Sequence, residues 1–554
     1  MGIVARQSIK GTIATYIGVA VGIITTFFVQ TKYLTTEEIG LVDVLLQSAL
    51  LFSGLAQLGT NTSAMRFYPY FKDEDNRDHG FFGWTLIVPL IGFAIFLGCF
   101  FALRSPIASF FSEKSALFID YIYYVIPLAF FMLYISVFET NSNLLMRIVV
   151  PRFIREVGLR VMTLVIYLLY GFHVLSLTGM VIAFCVSYGL ATVINIVYLL
   201  TLHRVSFRIE KKYITPKLKR DFLIYTVFLI TSALAGNITP LLNRYFVAGK
   251  QGLAVGGILT IAIYIASLVE MPYRSLGTIS KPQISQAMAD GNVKEADRIC
   301  KSVSLHQFLV GSLVFFFIWI NIDTVFALLP NGEVFAAGKW AVLILSLSRL
   351  INSTLNVGTT VLSYSKIYYY SLFFTILLTI LAWWLNARWV GNWGVNGAAM
   401  ATLVAYLVHY TLLLALIRWK IGTSPLSAKQ LLVVLVVGVM FGFDWLWLKT
   451  LTPWFVGQFG KPVIGLVIDS LLKSMFFLVV GLFSVYKLKI SQSVNDLIDK
   501  GLDFVRKKLP GFASPFSIVN HMVLGVSLMT LLVSTSKLFM TQIRYTPAAL
   551  PVRE

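Results

Sequence analysis

The sequence predicts an all-α polytopic membrane protein, and three observations carry that prediction. Of 554 residues, 57% are hydrophobic and only 13% charged, with a mean hydropathy of +0.80; a soluble domain carries nearly twice that share of charge. Apolar stretches of about 20 residues, long enough to cross a bilayer as helices, recur from one end to the other, which excludes a soluble domain on a single anchor. The Lys and Arg residues between them alternate between rich and poor loops, as the positive-inside rule requires of a multi-pass chain.

By the 20-residue rule about fourteen spans follow in order. They are 11–30, 41–67, 81–103, 118–138, 153–172, 175–202, 222–247, 253–272, 305–321, 340–364, 368–385, 394–417, 431–448 and 463–486. The N-terminal MGIVARQSIKG leads into an apolar run too long for a signal peptide and without a small-residue cleavage site, so the first span reads as a retained helix. The loops RFYPYFKDEDNR, MRIVVPRFIREVGLR, LHRVSFRIEKKYITPKLKR and residues 274–301 share the side of the N-terminus and are basic. Short loops such as YGFHVLS and NARWVGN face the other way. Roughly 30 cations fall on one side and about 10 on the other, which makes the N-terminus cytoplasmic. The net charge of +20 is therefore mostly topological; it suits anionic lipid headgroups and is no evidence for nucleic acid. KLKISQSVNDLIDKGLDFVRKKLPGF then reads as an amphipathic surface helix, and 516–540 as either a fifteenth span or an interfacial segment. Cys99, Cys185 and Cys300 fall in no metal or redox spacing.

An internal repeat organises these spans. KYLTTEEIGLVDVLLQSALLFSGL joins the first to the second, and RYFVAGKQGLAVGGILTIAIYIASL joins the seventh to the eighth. Lys32-Tyr33…Gly40-Leu41 thus matches Arg244-Tyr245…Gly252-Leu253, six spans apart and in the same orientation. The expected organisation is a six-helix half over 1–215, a second over 216–420, two further spans over 421–488, and the amphipathic and apolar segments of 489–554.

With its basic cytoplasmic side, two six-helix halves and the YLTTEEIGLVDVLLQS connection, the chain resembles the multidrug/oligosaccharidyl-lipid/polysaccharide (MOP) exporters, and within them the polysaccharide and O-antigen flippases (Wzx-type). The resemblance covers residues 8–486 and rests on architecture more than on a strict motif. It implies two lobes in a V around a central cavity that opens to each side in turn. The implied substrate is an undecaprenyl-diphosphate-linked oligosaccharide of lipopolysaccharide or another surface polysaccharide, moved across a bacterial inner membrane. Polysaccharide polymerase and glycosyltransferases are the implied partners, and no cofactor beyond a coupling Na⁺ or H⁺. A cation-coupled multidrug exporter, or an exporter of another lipid-linked precursor, is the alternative within the superfamily. The chain departs from many relatives in having Asn243-Arg244 where they carry Asp-Arg, and in having no charged residue over 11–29. The second departure weakens both the lipid II flippase and the aspartate-dependent drug exporter readings.

A water-filled cavity predicts polar stripes at helical spacing. Asp43, Gln47, Gly54, Gln57 and Asn61 fall within about 80° on the second span. Thr260, Tyr264, Ser267 and Arg274 share a face of the eighth. Arg349, Asn352, Asn356, Thr360 and Ser363 line the tenth, with Arg349 about 14 Å from its start, too deep to snorkel easily. With no acid on its own helix, Arg349 reads as a cavity cation for a diphosphate, whose oxygens suit a guanidinium fork, or as half of a buried ion pair. Asn352, Asn356, Gln47, Asn61, Tyr264 and Asn237 read as sugar-facing, against the plainer reading of such residues as helix–helix glue. Arg66, Arg274, Lys281 and Glu270 are assigned to the cytoplasmic mouth, Glu270 pairing there with Arg274. Asp43, Pro240, Arg244 and Lys32 are assigned to an outer gate, with Asp43 solvated, Arg244 snorkelling and Pro240 permitting a bend.

Enzyme readings fare worse. Asp73-Glu74-Asp75 imitates a metal-binding DxD but has no catalytic domain around it. The six histidines are scattered, and neither HExxH, GxSxG nor a Walker A loop is present. A membrane polymerase or ligase shares the hydropathy, but the longest loops here are cytoplasmic.

Overall fold

The computed structural model describes residues 3–73, 77–202, 238–458, 462–492, 494–496 and 499. Its regular elements are helical throughout: α1 (Ile3–Ile24), α2 (Thr36–Ala56), α3 (Thr60–Phe67), α4 (Phe81–Ala102), α5 (Arg104–Phe111), α6 (Ala116–Tyr121), α7 (Val125–Leu144), α8 (Leu159–Gly171) and α9 (Leu177–Thr201) come first. There follow α10 (Leu242–Gln251), α11 (Leu253–Ser267), α12 (Met271–Ala289), α13 (Val293–Leu328), α14 (Lys339–Ser363), α15 (Tyr369–Lys420), α16 (Ala428–Gln458) and α17 (Pro462–Lys487). Among the described residues eleven helices are long and apolar enough to cross a membrane, so the chain is a multi-pass membrane protein. The amphipathic segment beyond residue 499 and the apolar run 516–540 lie outside the described residues, as does most of the seventh span.

Three predicted spans need revision. The second is two helices: Leu58 and Gly59 both adopt positive φ (48° and 68°) between Ala56 and Thr60, so Asn61 does not continue the stripe of Asp43 and Gln47. The fifth starts earlier, at Val149, and passes through a π-helical turn over Ile154–Gly158; such turns break the 3.6-residue register. The loop expected between the eleventh and twelfth spans is helical, and α15 turns only at Gly394 (φ 52°, ψ −129°), a conformation open to glycine.

Contacts divide the described residues between two compact units, one from Met1–Ile265, Leu329–Leu345 and Ile367–His409, the other from Ala266–Leu328, Ser346–Lys366 and Tyr410–Glu554. In the first unit the YLTTEEIGL motif acts as a helix start. The Thr35 side chain accepts from the Glu38 N–H (3.2 Å) while Glu38 Oε2 accepts from the Thr35 N–H (2.9 Å), a capping box worth about 1 kcal/mol. Glu38 also accepts the Tyr170 hydroxyl, tying α2 to α8. The two repeat-related stretches meet each other here. A Cβ on Gly40 would lie 2.0 Å from the Leu253 carbonyl oxygen, and one on Gly257 2.0 Å from that of Thr36. Only glycine lets α2 and α11 cross so closely.

The second unit packs α13, α16 and α17 around Phe316, Ile320, Met440 and Phe477. Beside this apolar core lies a buried charge network. Lys473 Nζ is 3.4 Å from Asp444 Oδ1, both side chains 4% exposed, and Asp469 accepts from Trp447 Nε1 (2.7 Å) and Thr452 Oγ1 (2.9 Å). Asp444, on α16, is thus a buried partner of α17.

Candidate functional site

The deepest charge of the tenth span is paired. Both Oε atoms of Glu270, which ends a short 3₁₀ turn after α11, lie 3.2 Å from Nη1 of Arg349 on α14. Asn352, one turn on, donates to Glu270 Oε1 at 3.0 Å and accepts the Tyr410 hydroxyl at 2.7 Å. All four residues belong to the second unit. The Arg349 side chain keeps 23% of its surface exposed and that of Glu270 12%. A guanidinium and carboxylate left partly accessible at membrane depth form a polar site, since lipid would not tolerate either alone. The acid was invisible on Arg349's own helix because it comes from another one. Glu270, assigned to a mouth contact with Arg274, therefore belongs with Arg349; the Arg274 side chain lies outside the described residues. Asn356 is half-buried on the same helix.

Two of the residues assigned to an outer gate, Asp43 and Arg244, form a second network within the first unit. Asp43 is not solvated: it is 6% exposed and accepts from Arg244 Nε at 2.7 Å and Thr260 Oγ1 at 3.0 Å. Arg244 does not snorkel, its side chain being 10% exposed in this pair. Asn243 donates to Thr402 Oγ1 at 2.6 Å. Tyr245 donates to Ser48 Oγ at 3.0 Å, on the wall of an apolar cavity of about 330 Å³ that also includes Phe52, Phe110 and Phe111. Lys32, the repeat mate of Arg244 in the sequence, is exposed and lies over the Tyr33 ring at 5.1 Å. Pro240 sits in a 3₁₀ turn, Thr239–Leu241, directly before α10, where its missing N–H costs nothing. Asn237 lies outside the described residues.

The remaining candidates separate. Tyr264 is 39% exposed within electrostatic reach of Asp43, Arg244 and Arg160, and Gln47 is half-buried. Asn61 instead donates to Gln57 Oε1 (3.0 Å) and Ser136 Oγ (2.8 Å), which is helix–helix glue. Arg66 and Lys281 are exposed, Arg66 stacking 5.8 Å above Phe67. Arg160 was missed: it falls in the fifth predicted span, 153–172, but counts with the basic run MRIVVPRFIREVGLR, which the structure makes helical from Val149. No metal-binding cluster of His, Cys, Asp and Glu occurs among the described residues.

Comparison with known proteins fixes the fold. A lipid II flippase, MurJ, in an inward closed conformation superimposes with a TM-score of 0.65 at 12% identity, over 87% of this chain and 99% of that one. An inward-facing multidrug resistance MATE transporter of the MOP superfamily gives 0.55 at 16% identity, over 74% and 94%. A MOP superfamily transporter from Pyrococcus furiosus with a binding pocket of reverse polarity gives 0.52 at 15% identity, over 76% and 95%. No curated protein matches the sequence. The model of one family, described as polysaccharide biosynthesis protein, matches residues 5–288. The chain has the fold of the MOP exporters and belongs to the polysaccharide biosynthesis protein family.

Proposed function

We propose that this protein flips an undecaprenyl-diphosphate-linked oligosaccharide from the inner to the outer leaflet of a bacterial inner membrane by alternating access. The observation that carries the reading is Arg349, a membrane-depth guanidinium whose Nη1 lies 3.2 Å from both carboxylate oxygens of Glu270 while its side chain stays 23% exposed. A diphosphate presents more charge to a guanidinium fork than one carboxylate does, and charge-assisted bonds of that kind are roughly twice as strong as neutral ones. Glu270 serves as an internal anion: it keeps Arg349 paired while the site is empty and yields to the substrate, so that no bare charge faces lipid at any stage. Asn352 holds the carboxylate, and Tyr410 orients Asn352. Sugar hydroxyls would be met by Asn356, on the same helix as Arg349 and in the same unit. The Asp43–Arg244–Thr260 network and the Gly40/Gly257 crossing form the closed outer gate, and membership in a polysaccharide biosynthesis family supports a glycan cargo over a drug.

The test is cellular. A strain lacking the protein accumulates lipid-linked glycan on the cytoplasmic face and loses the corresponding surface polysaccharide. A deletion strain with normal surface polysaccharide and no accumulated intermediate overturns the reading.

A further inference from the structure

Arg160 opens α8 at the middle of a helical run from Val149 to Gly171, eleven residues from each end and so roughly 16 Å from either. Three facts fix its environment. Its Nη1 donates to the Gly18 carbonyl at 2.7 Å, passing across Gly22, where a Cβ would come within 2.8 Å of that nitrogen. Its Nη2 reaches Glu156 Oε2 only at 3.4 Å, and Glu156 is shared with Arg155, itself held by Glu139 at 2.7 Å. Its side chain is nonetheless 36% exposed.

That exposure is not toward lipid. The exposed apolar residues of α8 are Val161, Val165 and Leu169, which centre about 140° from Arg160 at 100° per residue. Arg160 lies instead within about 20° of Tyr167, which is buried and accepts from Gln30, and within electrostatic reach of the exposed Tyr264. With Arg152, Arg155 and Arg160 set against Glu139 and Glu156, the cluster keeps one cation in excess. Neither the helix–helix contact with Gly18 nor Glu156 uses the whole fork: Nε carries no hydrogen bond among the described residues.

We propose that Arg160 contacts the substrate directly, as an anion site within the first unit that takes a phosphate of the lipid-linked diphosphate. This rests on the flippase reading. The Gly18 carbonyl aims the guanidinium, Glu156 restrains it without neutralising it, and Nε is left to bond a ligand. Phosphate oxygens need the planar fork, so lysine is not an equivalent.

Full-length protein in lipid nanodiscs, titrated with farnesyl diphosphate and separately with farnesol, tests the assignment. Arg160→Lys keeps a donor for Gly18 and a charge for Glu156, so its thermal midpoint stays near that of wild type. Its dissociation constant for farnesyl diphosphate rises at least tenfold while farnesol binding is unchanged. Arg160→Gln loses more. Wild-type affinity in Arg160→Lys overturns the role and leaves the flippase reading intact, Arg160 then being a staple between α1 and α8. If wild type itself fails to bind farnesyl diphosphate, the flippase reading fails and the role with it.

Discussion

Arg349→Ala abolishes surface polysaccharide and also lowers the amount of folded protein, because it strands the Glu270 carboxylate. Removing one partner of a fully buried pair costs about 3–5 kcal/mol; Arg349 and Glu270 keep 23% and 12% of their side-chain surface, so the loss is smaller, and among the described residues Asn352 remains to donate to Glu270. The charge-neutral double variant Glu270→Gln/Arg349→Gln separates the two effects. Its amides can hydrogen-bond each other, so membrane levels return to within about twofold of wild type, while surface polysaccharide stays absent. Glu270→Gln alone removes the internal competitor. One charged hydrogen bond, about 1.5–3 kcal/mol, then no longer has to be displaced, so farnesyl diphosphate binds about tenfold tighter or better while transport slows through retarded release. Restored polysaccharide in the double variant, with matched protein levels on an immunoblot, would show that Arg349 is structural.

The second large effect is at the gate. Asp43→Ala leaves Arg244 and Thr260 without their common acceptor in a site 10% exposed or less, a loss of about 3–5 kcal/mol for the stranded charge. Because Gly40 and Gly257 bring the two backbones into contact but supply no charge of their own, that loss falls mainly on the closed state. A Ser48→Cys reporter in a background free of Cys99, Cys185 and Cys300 reads it out: Ser48 is 3% exposed and nearly inert to a membrane-impermeant maleimide. Asp43→Ala raises its labelling rate from the outside at least tenfold, and Asp43→Glu, which keeps the charge, raises it less. Equal rates in all three proteins would exclude the Asp43–Arg244 pair as the gate lock.

What could be read from the sequence followed from rules that act along one helix. Span length and charge alternation revealed a multi-pass helical fold, and the similarity of the Lys32–Leu41 and Arg244–Leu253 stretches pointed to the pair of helices that prove to touch. Arg349 stood out because its depth made its charge costly. The failures share a cause: partners come from other helices. Nothing in the residues around Arg349 announces Glu270, and nothing near Asp43 announces Arg244, so an isolated reading leaves Arg349 a cavity cation or half of a pair with no named partner, Asp43 solvated and Arg244 snorkelling. Wheel arguments also assume an unbroken helix. Positive φ at Leu58 and Gly59 ends the stripe that seemed to reach Asn61, and the π-turn over Ile154–Gly158 precedes an Arg160 that counts with a basic run in the sequence. Gly394 hides the opposite error, since its unusual φ turns a continuous helix where a loop was expected.

The central claim is that a diphosphate-linked lipid crosses the membrane through this protein by way of Arg349. Proteoliposomes carrying a fluorescent isoprenyl-diphosphate-linked disaccharide in one leaflet measure that crossing directly, through the fraction reached by an impermeant quencher over time. Wild-type protein speeds the crossing well above that of protein-free liposomes, while the folded Glu270→Gln/Arg349→Gln double variant leaves it at the protein-free rate. A double variant as fast as wild type, or a wild type no faster than bare lipid, contradicts the account.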